Sequence, residues 1–310
     1  GDIDVDGTTN LDVVDIDGAV DMASTLTVAG VVTVSDGSAS APSITNVGDT
    51  NSGVYFPADD NVGLVIGGSR KLLANSSGVT INNGDLTLPD GTDLITGSAG
   101  TSNFRAGVNA GNSITSGGNR NTLVGDEAGT AITTGDDNTT FGYAAGDAIT
   151  TAVENTALGS HALSAVTTGN SNTAIGMNAG LLITTGTNNV AVGPYALTTM
   201  TTSDYNTAVG RSAGRVITTG SQNTLIGGLA GDALTDADFN AAVGVGALGA
   251  DTLGSRSTAV GQQALGLQNF TSATDTYNTA VGFFAGLNVT TGIRNTLVGG
   301  LAGDALTDAD

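Results

Sequence analysis

The chain has 310 residues with no Cys, no Trp, 48 Gly and only 4 Pro, and 29 acids against 8 Lys and Arg leave a net charge of −21. The missing cysteines exclude a disulfide framework and thiolate metal sites. The acidic balance argues against nucleic acid and anionic lipid as partners, and no run of about 18 apolar residues is present to insert in a membrane.

Aromatics make up 4% of the sequence, too few for the bulky fillers of an ordinary globular core. Small β-branched residues with abundant Gly fit thin, stacked β layers better. Such layers have little interior of their own, so association of copies is the expected way to gain buried area.

Residues 1–40 read as an extended β shaft. Short runs such as Leu26-Thr27-Val28 and Val31-Val32-Thr33-Val34 are punctuated by Gly and Asp. Asp2, Asp4, Asp6 and Gly7 match the opening of a calcium loop, but Val13 stands where the bidentate Glu belongs. Alternating Asp with Ile and Val is equally the pattern of a half-exposed strand.

Residues 41–102 read as a small β knob that caps the C-terminal array of repeats and joins it to the shaft. Strands are expected at Gly53–Phe56, Val62–Ile66, Lys71–Ala74 and Val79–Ile81. Turn signals separate them at Gly67-Gly68, Ser76-Ser77-Gly78 and Asn82-Asn83-Gly84.

From 103 to 310 one phrase repeats: Asn-Thr-x-apolar-Gly-x-x-Ala, then Gly or Leu. Good copies begin at Asn121, Asn138, Asn155, Asn172, Asn189, Asn206, Asn223, Asn240, Ser257, Asn278 and Asn295, and a degenerate one at Asn103. The step is 17 residues, except for 18 after Asn103 and 21 after Ser257. Helical-hairpin repeats need about 33 residues, whereas a short fixed period suits one coil of a β-solenoid. An all-β, twelve-coil parallel solenoid is therefore expected.

Within each coil the invariably apolar fourth residue (Val124, Phe141, Leu158 and so on to Val298) is expected to point inward and stack. The fifth, always Gly, is expected to hold a positive φ or a close backbone approach. The eighth, always Ala, marks a tight site, and a second apolar rung runs from Ile132 through Leu306 at the twelfth. Recurrent Asn at the first position suggests a ladder of side-chain amides. The ninth position varies between Gly and Leu. Leu163, Leu197, Leu248 and Leu265 either complete the core between neighbouring coils or face a partner chain. The last ten residues repeat Leu229–Asp238, which there runs on into another coil, so a further coil is expected beyond Asp310.

Candidate chemistry is sparse. His161 is the sole histidine, and no nucleophilic triad can be assembled around it. Glu127 and Glu154 are the only glutamates. The paired carboxylates of a β-helical depolymerase are not evident, because the acids fall in turn positions. Enzymatic activity is not expected, nor is any cofactor. Calcium is the one candidate, at Asp2, Asp4 and Asp6 or between the coils that carry Asp232, Asp236, Asp304 and Asp308. The 21-residue unit, LQNFTSATDTYN, breaks the regularity, and inserted loops on solenoids often bind ligands. Phe270, Asp275, Tyr277, Phe283 and Phe284 are the candidate receptor contacts.

These residues carry two resemblances. The stretches GDTNSGVYFPADDNVGLVIGGSRKLLANSSGVTINNGDLTL and DGTTNLDVVDIDGAVDMASTLTVAG are similar to the knob and shaft modules of bacteriophage tail fibres, especially those of marine phages. The Asn-Thr-Ala-Val-Gly phrase resembles the head repeats of trimeric autotransporter adhesins, whose core reads like Asn-Ser-Val-Ala-Ile-Gly. That family's period is about 14 rather than 17, and it has Ser where this chain has Ala. The resemblances imply a homotrimeric virion fibre joined to other tail proteins. It would adsorb to a host polysaccharide or outer-membrane protein through several weak sites acting together. A bacterial trimeric surface adhesin is the alternative, and a β-helical depolymerase a second one.

Overall fold

The computed structural model describes residues 29–46, 48–82 and 100–308, and the chain divides into two compact units at about residue 92. The calcium-loop residues Asp2, Asp4 and Asp6 and most of the expected shaft lie outside the described residues. Within 29–40 there is no strand. Val31-Val32-Thr33-Val34 is irregular, with Val31 92% and Val32 62% exposed, so β propensity alone, with no partner edge, does not make it one.

The first unit is a five-stranded antiparallel meander of β1 (Ile44–Asn46), β2 (Asp49–Tyr55), β3 (Val62–Ile66), β4 (Ser69–Asn75) and β5 (Gly78–Ile81). Four of these strands match the sequence pattern. β1, too short and polar to signal itself, was not expected. Gly67 and Gly68 both have positive φ, 60° and 73°, and so close β3–β4 with the two-residue turn that matches strand twist. Tyr55 is buried over Gly63, where a side chain would collide with its ring. Ile44, Val54, Leu64, Leu72 and Ile81 stand in one register row across all five strands. Ile44, Leu64 and Ile81 in that row are exposed.

The second unit is the solenoid. Its strands in chain order are β6 (Phe104–Ala106), β7 (Thr122–Val124), β8 (Thr139–Phe141), β9 (Thr156–Leu158), β10 (Thr173–Ile175), β11 (Val190–Val192) and β12 (Thr207–Val209). They continue with β13 (Thr224–Ile226), β14 (Ala241–Val243), β15 (Gly254–Ser255), β16 (Thr258–Val260), β17 (Thr274–Asp275), β18 (Thr279–Val281) and β19 (Thr296–Val298). All but β15 and β17 stack, one per coil, into a twelve-stranded parallel sheet, and those two form a separate parallel pair inside the long coil. Register is constant: Thr173, Ala174 and Ile175 face Val190, Ala191 and Val192.

The inward column is the third position, not the fourth. Leu123, Ala157, Ala174, Ala191, Ala208 and Leu225 are fully or almost fully buried, whereas Phe141 is 53% and Leu158 44% exposed. A strand turns alternate residues to opposite faces, and here the first position and the third claim the interior. The expected inward stack of fourth-position residues is therefore corrected to an outward one.

The core opposite that column is filled by the eighth, ninth and twelfth positions. Leu163, Leu197, Leu248 and Leu265 are fully buried, which decides for core completion over partner contact. Where the ninth residue is Gly, a leucine from the third column or a neighbouring coil occupies the space, except at Gly146, where Ile149 and Thr140 do. A Cβ on Gly231 would lie 2.8 Å from Leu225 Cδ2, and one on Gly180 2.8 Å from Leu163 Cδ2. Large and small thus trade places between the two columns to keep interior volume even.

Fifth-position Gly193 has φ +122°, and a Cβ there would lie 2.7 Å from the carbonyl carbon of Gly210 in the next coil. Both reasons anticipated for this glycine apply. The amide ladder is present too: Asn189 Nδ2 donates to Asn172 Oδ1 at 3.1 Å and to the Ser203 carbonyl at 2.8 Å. The Asn189 backbone N–H donates to the same Asn172 Oδ1. Burial without loss of partners is what lets a polar residue recur in the core.

Candidate functional site

Three features of the solenoid carry groups that can do chemistry or bind. The first is interior. At the twelfth position, two successive coils replace the aliphatic rung by Asp251 and Gln268, both fully buried. Asp251 Oδ1 accepts the backbone N–H groups of Gly254 and Phe270, each at 3.1 Å, and Oδ2 accepts Gln268 Nε2 at 2.5 Å. Gln268 Nε2 also reaches Ser257 Oγ at 2.9 Å, and Gln268 Oε1 takes Asn278 Nδ2 at 2.8 Å. This network sits where Ser257 interrupts the asparagine ladder, and it satisfies the groups the missing amide leaves. Sequence reading passed over it, although a gap in the apolar rung at Asp251 and Gln268 was the available signal.

The second is the long coil. Phe270 is buried, its backbone fixed by Asp251, and presents no surface to a receptor. Asp275 and Tyr277 do meet: Tyr277 Oη donates to Asp275 Oδ2 at 3.3 Å, and Arg256 Nε pairs with Asp275 Oδ1 at 3.0 Å. The Arg256 guanidinium lies 4.7 Å over the Phe239 ring, adding a cation–π contact. Phe283 and Phe284 stack at 4.0 Å with Phe283 half exposed.

The third is a surface groove of about 460 Å³ lined by Tyr195, Arg211, Ser212, Arg215 and Leu229. Both arginines are exposed, and among the described residues neither guanidinium is in a salt bridge, unlike Arg120 and Arg256. Arg215 acts on half-buried Asp232. Burial raises the Asp232 carboxyl above the usual range, and Arg215 partly offsets that rise.

The remaining candidate metal residues do not gather. Asp232 and Asp236 lie four coils from Asp304 and Asp308, about 19 Å along the stack at the usual strand spacing. Asp236 Oδ1 accepts Thr219 Oγ1 at 2.6 Å, and Asp308 Oδ1 accepts its neighbour Thr307 Oγ1. Among the described residues no three His, Cys, Asp or Glu side chains are grouped to hold a metal. Other acids close turns: Asp204 and Asp238 accept the backbone N–H groups of Thr187 and Ser221 in the preceding coil. His161 packs edge-on against Tyr143 and meets Ser160 Oγ. Among the described residues no helix is long and apolar enough to cross a membrane. No protein-family model, no curated protein and no solved structure matches this chain.

Proposed function

We propose that this chain is a structural and recognition fibre, a homotrimeric virion tail fibre that carries a binding surface to a bacterial cell. The observation that supports this reading best is the unbroken parallel ladder. Twelve strands at about 4.8 Å spacing make a rod segment of about 53 Å in which every coil holds its neighbour. Such a quasi-one-dimensional stack serves as a stiff spacer. The N-terminal modules, similar to phage-fibre knob and shaft, favour a virion over a bacterial surface as its location.

The recognition part of the reading falls on the groove of Arg211 and Arg215. Two guanidinium groups outside any salt bridge among the described residues suit carboxylate or phosphate groups, Arg215 with Asp232 as a neighbouring charge, and Tyr195 lines the same groove. The ligand is then an acidic surface polysaccharide, attracted by this local pair of cations against the chain's overall negative charge, and held weakly per site and tightly by several copies. Binding to immobilised polygalacturonate, with neutral dextran as control, tests it. Wild type should bind polygalacturonate in a salt-sensitive way, and Arg211→Gln/Arg215→Gln should weaken it tenfold or more. Equal binding by the variant refutes the groove. Antibodies against the chain, applied to virus-sized and cellular fractions of material carrying its gene, should label virion tails. Labelling of cell surfaces alone would favour the adhesin.

A further inference from the structure

The outward face of the long sheet has a chemistry of its own. Its two exposed columns, the second and fourth positions of every coil, hold Thr, Ala, Val, Ile, Leu and Phe only. In a chain with 29 acids, not one charged residue stands in either column over twelve coils. The fourth column alone is apolar from Ala106 to Val298, and Phe141, Leu158, Ile175, Ile226 and Val298 are each exposed by a third or more.

The margins carry a different set. Every solenoid aromatic that is more than a third exposed lies in these columns, at the residue before the first Asn, or at the sixth position. Phe104 and Phe141 are in the columns, Tyr205, Phe239 and Tyr277 on one margin, and Tyr143 and Phe283 on the other. Arg120, Arg256 and Arg294 share the first margin with Asp137 and Glu154, and Asp126 and Arg211 stand on the second. An uncharged centre of threonine and aliphatic columns, edged by aromatic and charged residues, has the core-and-rim composition of a protein interface.

We infer that this face is where copies of the chain meet, parallel and in register, around a common axis. This rests on the fibre being an assembly of identical chains, as proposed above, and adds which surface builds it. Three arguments select a second copy over another partner. The stripe repeats every coil rise for about 53 Å, and an object with the same repeat, another copy laid parallel, can match every rung at once. A chain of charge −21 repels its own copies unless they touch through an uncharged face. The strip, about 53 Å by roughly 18 Å with its margins, offers about 950 Å² per copy, comparable to the roughly 800 Å² a stable interface buries on each side. Tyr277 and Phe283, read from the sequence as receptor contacts, become rim residues of this interface.

The test uses the absence of native cysteine. In the whole chain, Val209→Cys places one thiol mid-stripe, and Thr218→Cys places one on an exposed turn away from it. Under mild oxidation Val209→Cys should give intermolecular disulfides and Thr218→Cys none. Light scattering should find wild type at a multiple of 30.2 kDa and Val192→Asp/Val209→Asp/Ile226→Asp at 30.2 kDa with unchanged circular dichroism. A multimer in which Val209→Cys does not cross-link overturns the inference and leaves the fibre reading standing. Monomeric wild type overturns both. Should the triple variant not fold, the two cysteine variants decide the question alone.

Discussion

Leu197→Ala tests the exchange of large and small residues between the third and ninth columns. Leu197 is fully buried in a coil whose third residue is Ala191. The coils on either side offer Gly180 and Gly214 in the ninth column and Ala174 and Ala208 in the third. The leucine therefore fills space in its own coil and, with Leu225, in the next: a Cβ on Gly214 would lie 3.0 Å from its Cδ2. With four small neighbours fixed by ladder hydrogen bonds the cavity cannot collapse, so the cost belongs at the upper end of the usual Leu→Ala range, about 4–5 kcal/mol. Ala191→Leu alone should overpack against Leu197 and cost about 1–3 kcal/mol. Ala191→Leu combined with Leu197→Gly recreates the arrangement seen at Leu225 and Gly231 and should recover at least ~2 kcal/mol of coupling. Urea titration followed by circular dichroism reads this, with slopes compared because a repeat array can unfold in parts. A loss under ~1 kcal/mol for Leu197→Ala, or strict additivity in the double variant, would refute the reasoning.

Gly193→Ala should cost about 3–5 kcal/mol in the same titration, since it adds left-region backbone strain to a clash with the Gly210 backbone. Thr140 stands in the inward column with its buried Oγ1 unpartnered, so Thr140→Val should raise stability by about 1 kcal/mol. Asp251→Ala orphans two backbone N–H groups and the Gln268 amide and should cost at least ~3 kcal/mol, with faster hydrogen exchange at Gly254 and Phe270 as its local signature. Asp232 has its folded carboxyl pKa raised by burial, so stability falls as pH rises from the ordinary carboxyl range through that raised value and stays lower above it. Asp232→Asn should therefore raise the thermal midpoint at pH 7 and leave it unchanged at about pH 3, where the native carboxyl is protonated in both states.

The period, the parallel coil, the glycine column and the amide ladder were legible because each repeats eleven or twelve times. The face that the fourth residue takes was not. An apolar residue every 17 positions reads as core, and only the competing burial of Asn at the first position and Ala or Leu at the third turns it outward. Had the charge-free second column been read with the fourth, an apolar outer face was there to find. The Asp251–Gln268 node was missed because it appears once in each of two coils, and a repeat consensus hides single departures. Phe270 misled for a related reason: an aromatic in an irregular segment reads as displayed, whereas here the irregular coil folds it into the interior. The groove at Arg211 and Arg215 joins side chains 4, 16, 17 and more residues apart, a neighbourhood set by coil stacking alone.

The central claim is a stack of coils whose uncharged sheet face is shared between copies. A cryo-electron microscopy map of the intact chain tests it most directly. The account predicts parallel rods with layers about 4.8 Å apart, Ala191 and Ala208 inside each rod, and Val192 and Val209 turned toward a common axis. Separate single rods, or copies joined through another face with Val192 and Val209 in open solvent, would contradict it.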